Sequence, residues 1–186
     1  MIGKISSRFH AWANGWLVLV LFVLDGFLAG FVLPMAEALM KGDSGGAGPI
    51  DLQFFSTPEK IYGMVESYGE YGRAFYRNIE LTVDIIYPIV YTLFFGLLIS
   101  WLFQRGFKPD SNMQKWNAAP VGAWLFDLLE NLGIVSMLSI FPSTPAILAW
   151  LTAIFTMVKW LFAGASILLV LVGLVAATRN RFKKST

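Results

Sequence analysis

Apolar residues in this chain gather into four runs, at about 15–38, 81–103, 121–141 and 146–178, with more polar stretches between them. A helix rising about 1.5 Å per residue needs roughly 20 such residues to cross a hydrocarbon layer about 30 Å thick. The pattern therefore predicts an all-α protein, an integral membrane four-helix bundle in which 1–186 form a single transmembrane domain. The first run could instead be a secretory signal, since Ala36-Glu37-Ala38 has the small-x-small order of a cleavage site. It is longer than the 7–15 apolar residues of a signal core, so a retained helix is the better reading.

Between the first two runs lies a long loop, 41–79. Its opening, KGDSGGAGPIDLQFFS at 41–56, reads as a flexible Gly-rich turn; it lacks the GxxxxGK[ST] order of a phosphate loop. Thr57-Pro58-Glu59 then has the form of a helix start, with Thr as N-cap, Pro at the first position and Glu complementing the dipole. Ile61, Met64, Val65, Tyr68 and Tyr71 follow at helical spacing, with Lys60, Glu66 and Glu70 mostly opposite. The prediction is an amphipathic surface helix broken near Gly69 or Gly72, which either lids a cavity or packs on the rim of the bundle.

Polar residues inside the runs carry the chemical interest. Asp127, Glu130 and Asn131 stand at i, i+3 and i+4 in the third run and so share a helix face. A charge at mid-bilayer costs about 2.5–3.5 kcal/mol on insertion scales, so this face must point into the protein or a wet cavity. Asp25 interrupts the first run, where Gly26 and Gly30 have the spacing of close helix packing. In the second, Glu80 and Asp84 stand near the start, Pro88 frees a backbone carbonyl, and Asp84, Tyr87 and Tyr91 fall on one face. Lys159 is the one charge within the apolar part of the last run.

The short connection at 142–145 sets relative depth. Asp127 lies 14 residues before Phe141, Glu130 lies 11 before it, and Lys159 lies 14 after Pro145. On antiparallel neighbours this brings Lys159 level with Asp127 to within about a turn, making it the natural counter-charge for Asp127 or Glu130. One lysine cannot neutralise two carboxyls, so at least one acid must be protonated or reach water. That state suits a proton relay or general acid, and equally a static hydrogen-bonded clasp.

Composition narrows the classes. At 56% hydrophobic and 14% charged residues, with mean hydropathy +0.63, the chain belongs with membrane proteins. It has no cysteine, and its single histidine, His10, precedes the first run. Thiolate and histidine metal sites, disulfides and a Ser-His-Asp relay are thereby excluded, and no metal or cofactor is implied. The formal charge of +2 does not point to nucleic acid, because the basic residues flank apolar runs. Lys4, Arg8, Arg105, Lys108, Lys115, Arg179, Arg181, Lys183 and Lys184 would share one side with the single acid Asp110. By the positive-inside rule both termini are then cytoplasmic and the 41–79 loop extracytoplasmic. Trp12, Trp16, Trp101 and Trp150 read as interfacial anchors, while Trp124 and Trp160, close to the charged residues, could line a pocket.

The segments YGEYGRAFY (68–76), LTVDIIYPIVY (81–91), FDLLEN (126–131) and TMVKW (156–160) resemble a family of uncharacterised bacterial four-span membrane proteins, over most of the chain from residue 54 onward. The resemblance implies a bacterial inner membrane and no established activity. A fainter similarity, in the long first loop and membrane-embedded acids, is to the emopamil-binding and sigma-2 receptor group of four-span sterol-binding and isomerase proteins. No span here holds a histidine, and no residues are carried over from that group.

Two functions remain in play. One is an intramembrane site of Asp84, Tyr87, Tyr91, Asp127, Glu130, Asn131 and Lys159 that binds a small lipophilic or amphipathic molecule, with Asp127 and Glu130 as candidate proton-transfer groups. The other is a non-catalytic accessory subunit with membrane-protein partners, or a homo-oligomer, in which the charges are register clasps. Nucleophilic hydrolysis is disfavoured because Ser100 and Ser136 have no evident base. Ion-coupled transport is disfavoured because no internal repeat is visible.

Overall fold

The structure, a computed structural model, describes residues 2–43 and 47–185. Helix α1 (Ile2–Trp12) is followed by α2 (Gly15–Phe27), which passes through a π-helical turn at Leu28–Val32 into α3 (Leu33–Asp43). Then come α4 (Pro58–Ser67), α5 (Gly69–Glu80), α6 (Val83–Gly106), α7 (Ala119–Ile140) and α8 (Ala146–Ser185), with 3-10 turns at Ile50–Leu52 and Asn112–Ala118. No strand occurs among the described residues, and the fold is an all-α helical bundle. Four stretches among them, Gly15–Lys41, Gly69–Gly106, Asn112–Ile140 and Ala146–Lys183, are long and apolar enough to cross a membrane. Of the Gly-rich turn expected at 41–56, residues 44–46 lie outside the described residues. Lys41 still belongs to α3, and 50–52 form a turn of 3-10 helix.

Contacts divide the chain into two compact units, the first being Met1–Asp25, Ile89–Trp124 and Leu161–Thr186 and the second Gly26–Pro88 and Leu125–Trp160. In the first unit α1 is a helix that hydrophobic runs alone do not reveal, because a short polar segment owes its helicity to what it packs on. Phe9 lies on Gly96 of α6 so closely that a Cβ there would meet the ring at 2.6 Å. Polar bonds fasten the rest. Asn117 Nδ2 donates to the Ser6 carbonyl at 3.1 Å and to Ser100 Oγ at 2.7 Å, and Gln104 Nε2 donates to the His10 carbonyl at 2.8 Å. Ser100, which donates to the Gly96 carbonyl at 2.7 Å, is thus committed to structure. Asn14 caps α2, its Oδ1 accepting from Leu17 N at 2.8 Å.

In the second unit α4 starts where the Thr-Pro-Glu motif predicts, Thr57 Oγ1 accepting from Lys60 N at 3.4 Å. It ends at Gly69, whose φ of 62° is the left-handed conformation that glycine adopts without strain. The stripe Ile61, Tyr62 and Val65 is buried against Ile134, Met137 and Leu138 of α7 and Ala149 and Ala153 of α8. Tyr62 also donates to the Pro145 carbonyl at 3.1 Å, and the Arg73 guanidinium sits 4.5 Å from the centre of the Phe141 ring. The amphipathic helix is therefore packed on the rim at the α7–α8 connection.

Close approach of α7 and α8 depends on Gly133, where a Cβ would collide with the buried Thr152 side chain. Gly133→Ala should cost about 1–3 kcal/mol, the usual range for overpacking. Gly164 has nothing within 4 Å of its Cβ position, so Gly164→Ala should leave the melting temperature unchanged or raise it. Circular-dichroism melts of the two variants in detergent check this pair.

Candidate functional site

The second unit contains a group of charged side chains withdrawn from solvent. On α7 the i, i+3 spacing puts Asp127 and Glu130 on one face, with exposures of 7% and 0%. On α8 the same spacing puts Thr156 and Lys159 together, also buried. The Lys159 ammonium contacts Glu130 Oε2 directly and lies 3.6 Å from Asp127 Oδ1. Glu130 Oε1 accepts from the Thr156 hydroxyl at 2.6 Å, so both oxygens of this fully buried carboxylate are engaged. Such charge-assisted bonds are what allow an ion pair to exist away from water.

Helix α6 joins through its backbone. Pro88 has no N–H for the carbonyl four residues earlier, which belongs to Asp84. Asn131 Nδ2 donates to that carbonyl at 2.8 Å, so the bond lost within α6 is replaced from α7. Asn131 is thereby assigned to holding Asp84. The Asp84 side chain is half-buried and close enough to act electrostatically with Asp127 and Lys159. Tyr87 is half-buried in the same unit, whereas Tyr91 falls in the first unit, as does Asp25.

Three further acidic or hydroxyl groups belong here that hydrophobic periodicity does not single out. Glu80, at the end of α5, is 1% exposed, and neither of its carboxyl oxygens has a hydrogen-bond partner among the described residues. Tyr76, one turn earlier and also 1% exposed, lies beside Glu80, but its one hydroxyl hydrogen goes to Asp51 Oδ1 at 2.7 Å. The same hydroxyl accepts from Ile50 N at 3.0 Å. Asp51 is thus brought in from the 3-10 turn, and Trp160 Nε1 fixes the turn a second time by donating to the Asp51 carbonyl at 3.2 Å. From there Asp51 acts on Glu80, Asp84, Glu130 and Lys159. Glu80 stands four residues before Asp84, a spacing that could have drawn attention to it; Asp51 carries no such mark. No three His, Cys, Asp or Glu among the described residues are placed to hold a metal ion.

Tyr68 completes the aromatic side of the cluster. It meets Tyr76 edge to face at 5.6 Å and donates to the Gly48 carbonyl at 2.8 Å. Burial, then the nearby Asp51 and Glu80, push its hydroxyl well above the usual tyrosine range. Burial also raises Tyr62.

Removing the ammonium would strand two acids. Lys159→Met should cost about 3–5 kcal/mol, the range for breaking a buried pair, and adding Glu130→Gln should recover part of that loss in a double-mutant cycle of thermal unfolding. The raised Tyr68 hydroxyl gives a second expectation. Its stabilising contribution is complete below about pH 10, where tyrosine in an unfolded chain stays neutral, and fades as pH rises further. Melting temperature should therefore fall above that pH, and less steeply in Tyr68→Phe.

No protein-family model, no curated protein and no solved structure matches the chain.

Proposed function

We propose that this multi-pass membrane protein uses the cluster of Asp84, Asp127, Glu130, Asn131 and Lys159 to bind a small lipophilic or amphipathic molecule in the membrane. The observation that carries this reading is the surplus of acid. Lys159 has Asp127 and Glu130 as partners, and Asp84, Glu80 and Asp51 are gathered at the same place. A clasp that only fixes helix register is most stable with charges in balance; unbalanced buried carboxyls are costly, and within membranes such groups mark sites. The half-buried Asp84 and Tyr87 are the groups a ligand's polar end would meet, its apolar part being drawn from the lipid. The flanking basic residues favour cytoplasmic placement of both termini, and a bacterial plasma membrane is what the resemblance of the four segments to bacterial four-span proteins implies.

A non-catalytic accessory subunit is the second reading. It is favoured by one feature, the full engagement of Glu130 by Thr156 and Lys159, which resembles a closed structural clasp.

The two separate in the thermal stability of wild type, Asp84→Asn and Glu130→Gln in detergent, with and without native lipid extract. Binding at 100 times the dissociation constant stabilises by about 2.7 kcal/mol, so a ligand in the extract should raise the wild-type midpoint. Asp84→Asn should match wild type in detergent alone and lose that rise. Equal midpoints with and without extract in wild type, together with collapse of Glu130→Gln in both, would favour the accessory subunit.

A further inference from the structure

We propose that Glu80 is a proton-binding site whose proton exchanges with the 50–52 turn through the Tyr76 hydroxyl and the Asp51 carboxyl. The inference goes beyond ligand binding in the membrane and does not require it.

Glu80 is the acid of the cluster whose circumstances differ from the rest. It is 1% exposed, and both of its oxygens lack a hydrogen-bond partner among the described residues. The charged groups acting on it are Asp51 from the turn, Asp84 from α6 and Glu130 from α7, all acids, while the Lys159 ammonium of α8 is held by Glu130 and Asp127. A carboxylate in that setting is 1% exposed and faced by acids, and the hydroxyl beside it, that of Tyr76, gives its hydrogen to Asp51; a bound proton removes the charge. Once protonated, Glu80 has a hydrogen to donate, and the Tyr76 oxygen lies beside it.

Tyr76 links this interior acid to the outside. Its ring is buried between elements, its hydroxyl donates to Asp51 Oδ1 at 2.7 Å, and Asp51 is half-exposed. A hydroxyl is both donor and acceptor, which is what relaying a proton requires. In the inward direction a protonated Asp51 gives its proton to the Tyr76 oxygen while Tyr76 gives its own hydrogen to the Glu80 carboxylate. Asp51 ends as carboxylate, Glu80 as carboxylic acid and Tyr76 as the neutral phenol it began as. The outward step is the reverse, and no other reactant is consumed. The backbone N–H of Ile50 and the indole of Trp160 hold the turn so that Asp51 stays within reach.

The test is infrared spectroscopy of the full chain in detergent without added lipid, following the stretch of protonated carboxyls on transfer from H2O to D2O. Wild type at neutral pH should show such a band, and Glu80→Gln should lose it. The deuterium shift of the band should be slowed several-fold in Tyr76→Phe, which keeps the ring against Tyr68, and in Asp51→Asn. Absence of the band in wild type overturns the proposal, as does its persistence in Glu80→Gln or wild-type exchange in Tyr76→Phe. Should Glu80→Gln not fold, the wild-type band and the Tyr76→Phe rate still decide. Because no lipid is present, this result stands apart from the lipid-extract melts.

Discussion

A buried lysine ammonium is the constraint around which the second unit is arranged. Lys159 lies within the apolar part of α8, where an unpaired charge would cost several kcal/mol, so α8 is stable only with an acid at the same depth on its neighbour. The short connection between α7 and α8 sets that depth. Gly133 then allows the two helices to approach until Thr156 and Lys159 both reach Glu130. Register, packing and charge therefore support one another: shifting either helix by a turn would break the pair and drive a side chain into Thr152.

The remaining acids have a different support. Asp51 and Glu80 are positioned by aromatic side chains rather than by a cation, with Tyr76 and Trp160 bonded to the 50–52 turn and Tyr68 packed beside Tyr76. Rigid rings with a polar tip can occupy apolar surroundings and still hold a backbone or a carboxylate at their far end. The turn is thus anchored to α5 and α8, while α4 covers the neighbouring ends of α7 and α8 with its Ile61, Tyr62 and Val65 stripe.

Much of this was legible in the sequence. Apolar runs located the four long helices because membrane length and helix rise leave little choice, and counting from the connection at 142–145 brought Lys159 to Asp127 and Glu130. The Thr-Pro-Glu start and the break at Gly69 follow from local chemistry. What could not be read depends on contacts distant in sequence. Asp51 gains its place through Tyr76 and Trp160, 25 and 109 residues away. Helix α1 is held by Gln104, Asn117 and Gly96.

The bond between Asn131 and the Asp84 carbonyl ties two sequence positions into one unit of inheritance. With an ordinary residue at 88, α6 would reclaim that carbonyl for its own ladder and leave the Asn131 amide short of an acceptor; with an apolar residue at 131, the carbonyl that Pro88 freed would have no donor. Either change alone is a loss, and both together restore a complete set of bonds. Positions 88 and 131 are therefore expected to vary as a pair, and a chain that keeps the proline keeps with it a reason to retain the asparagine.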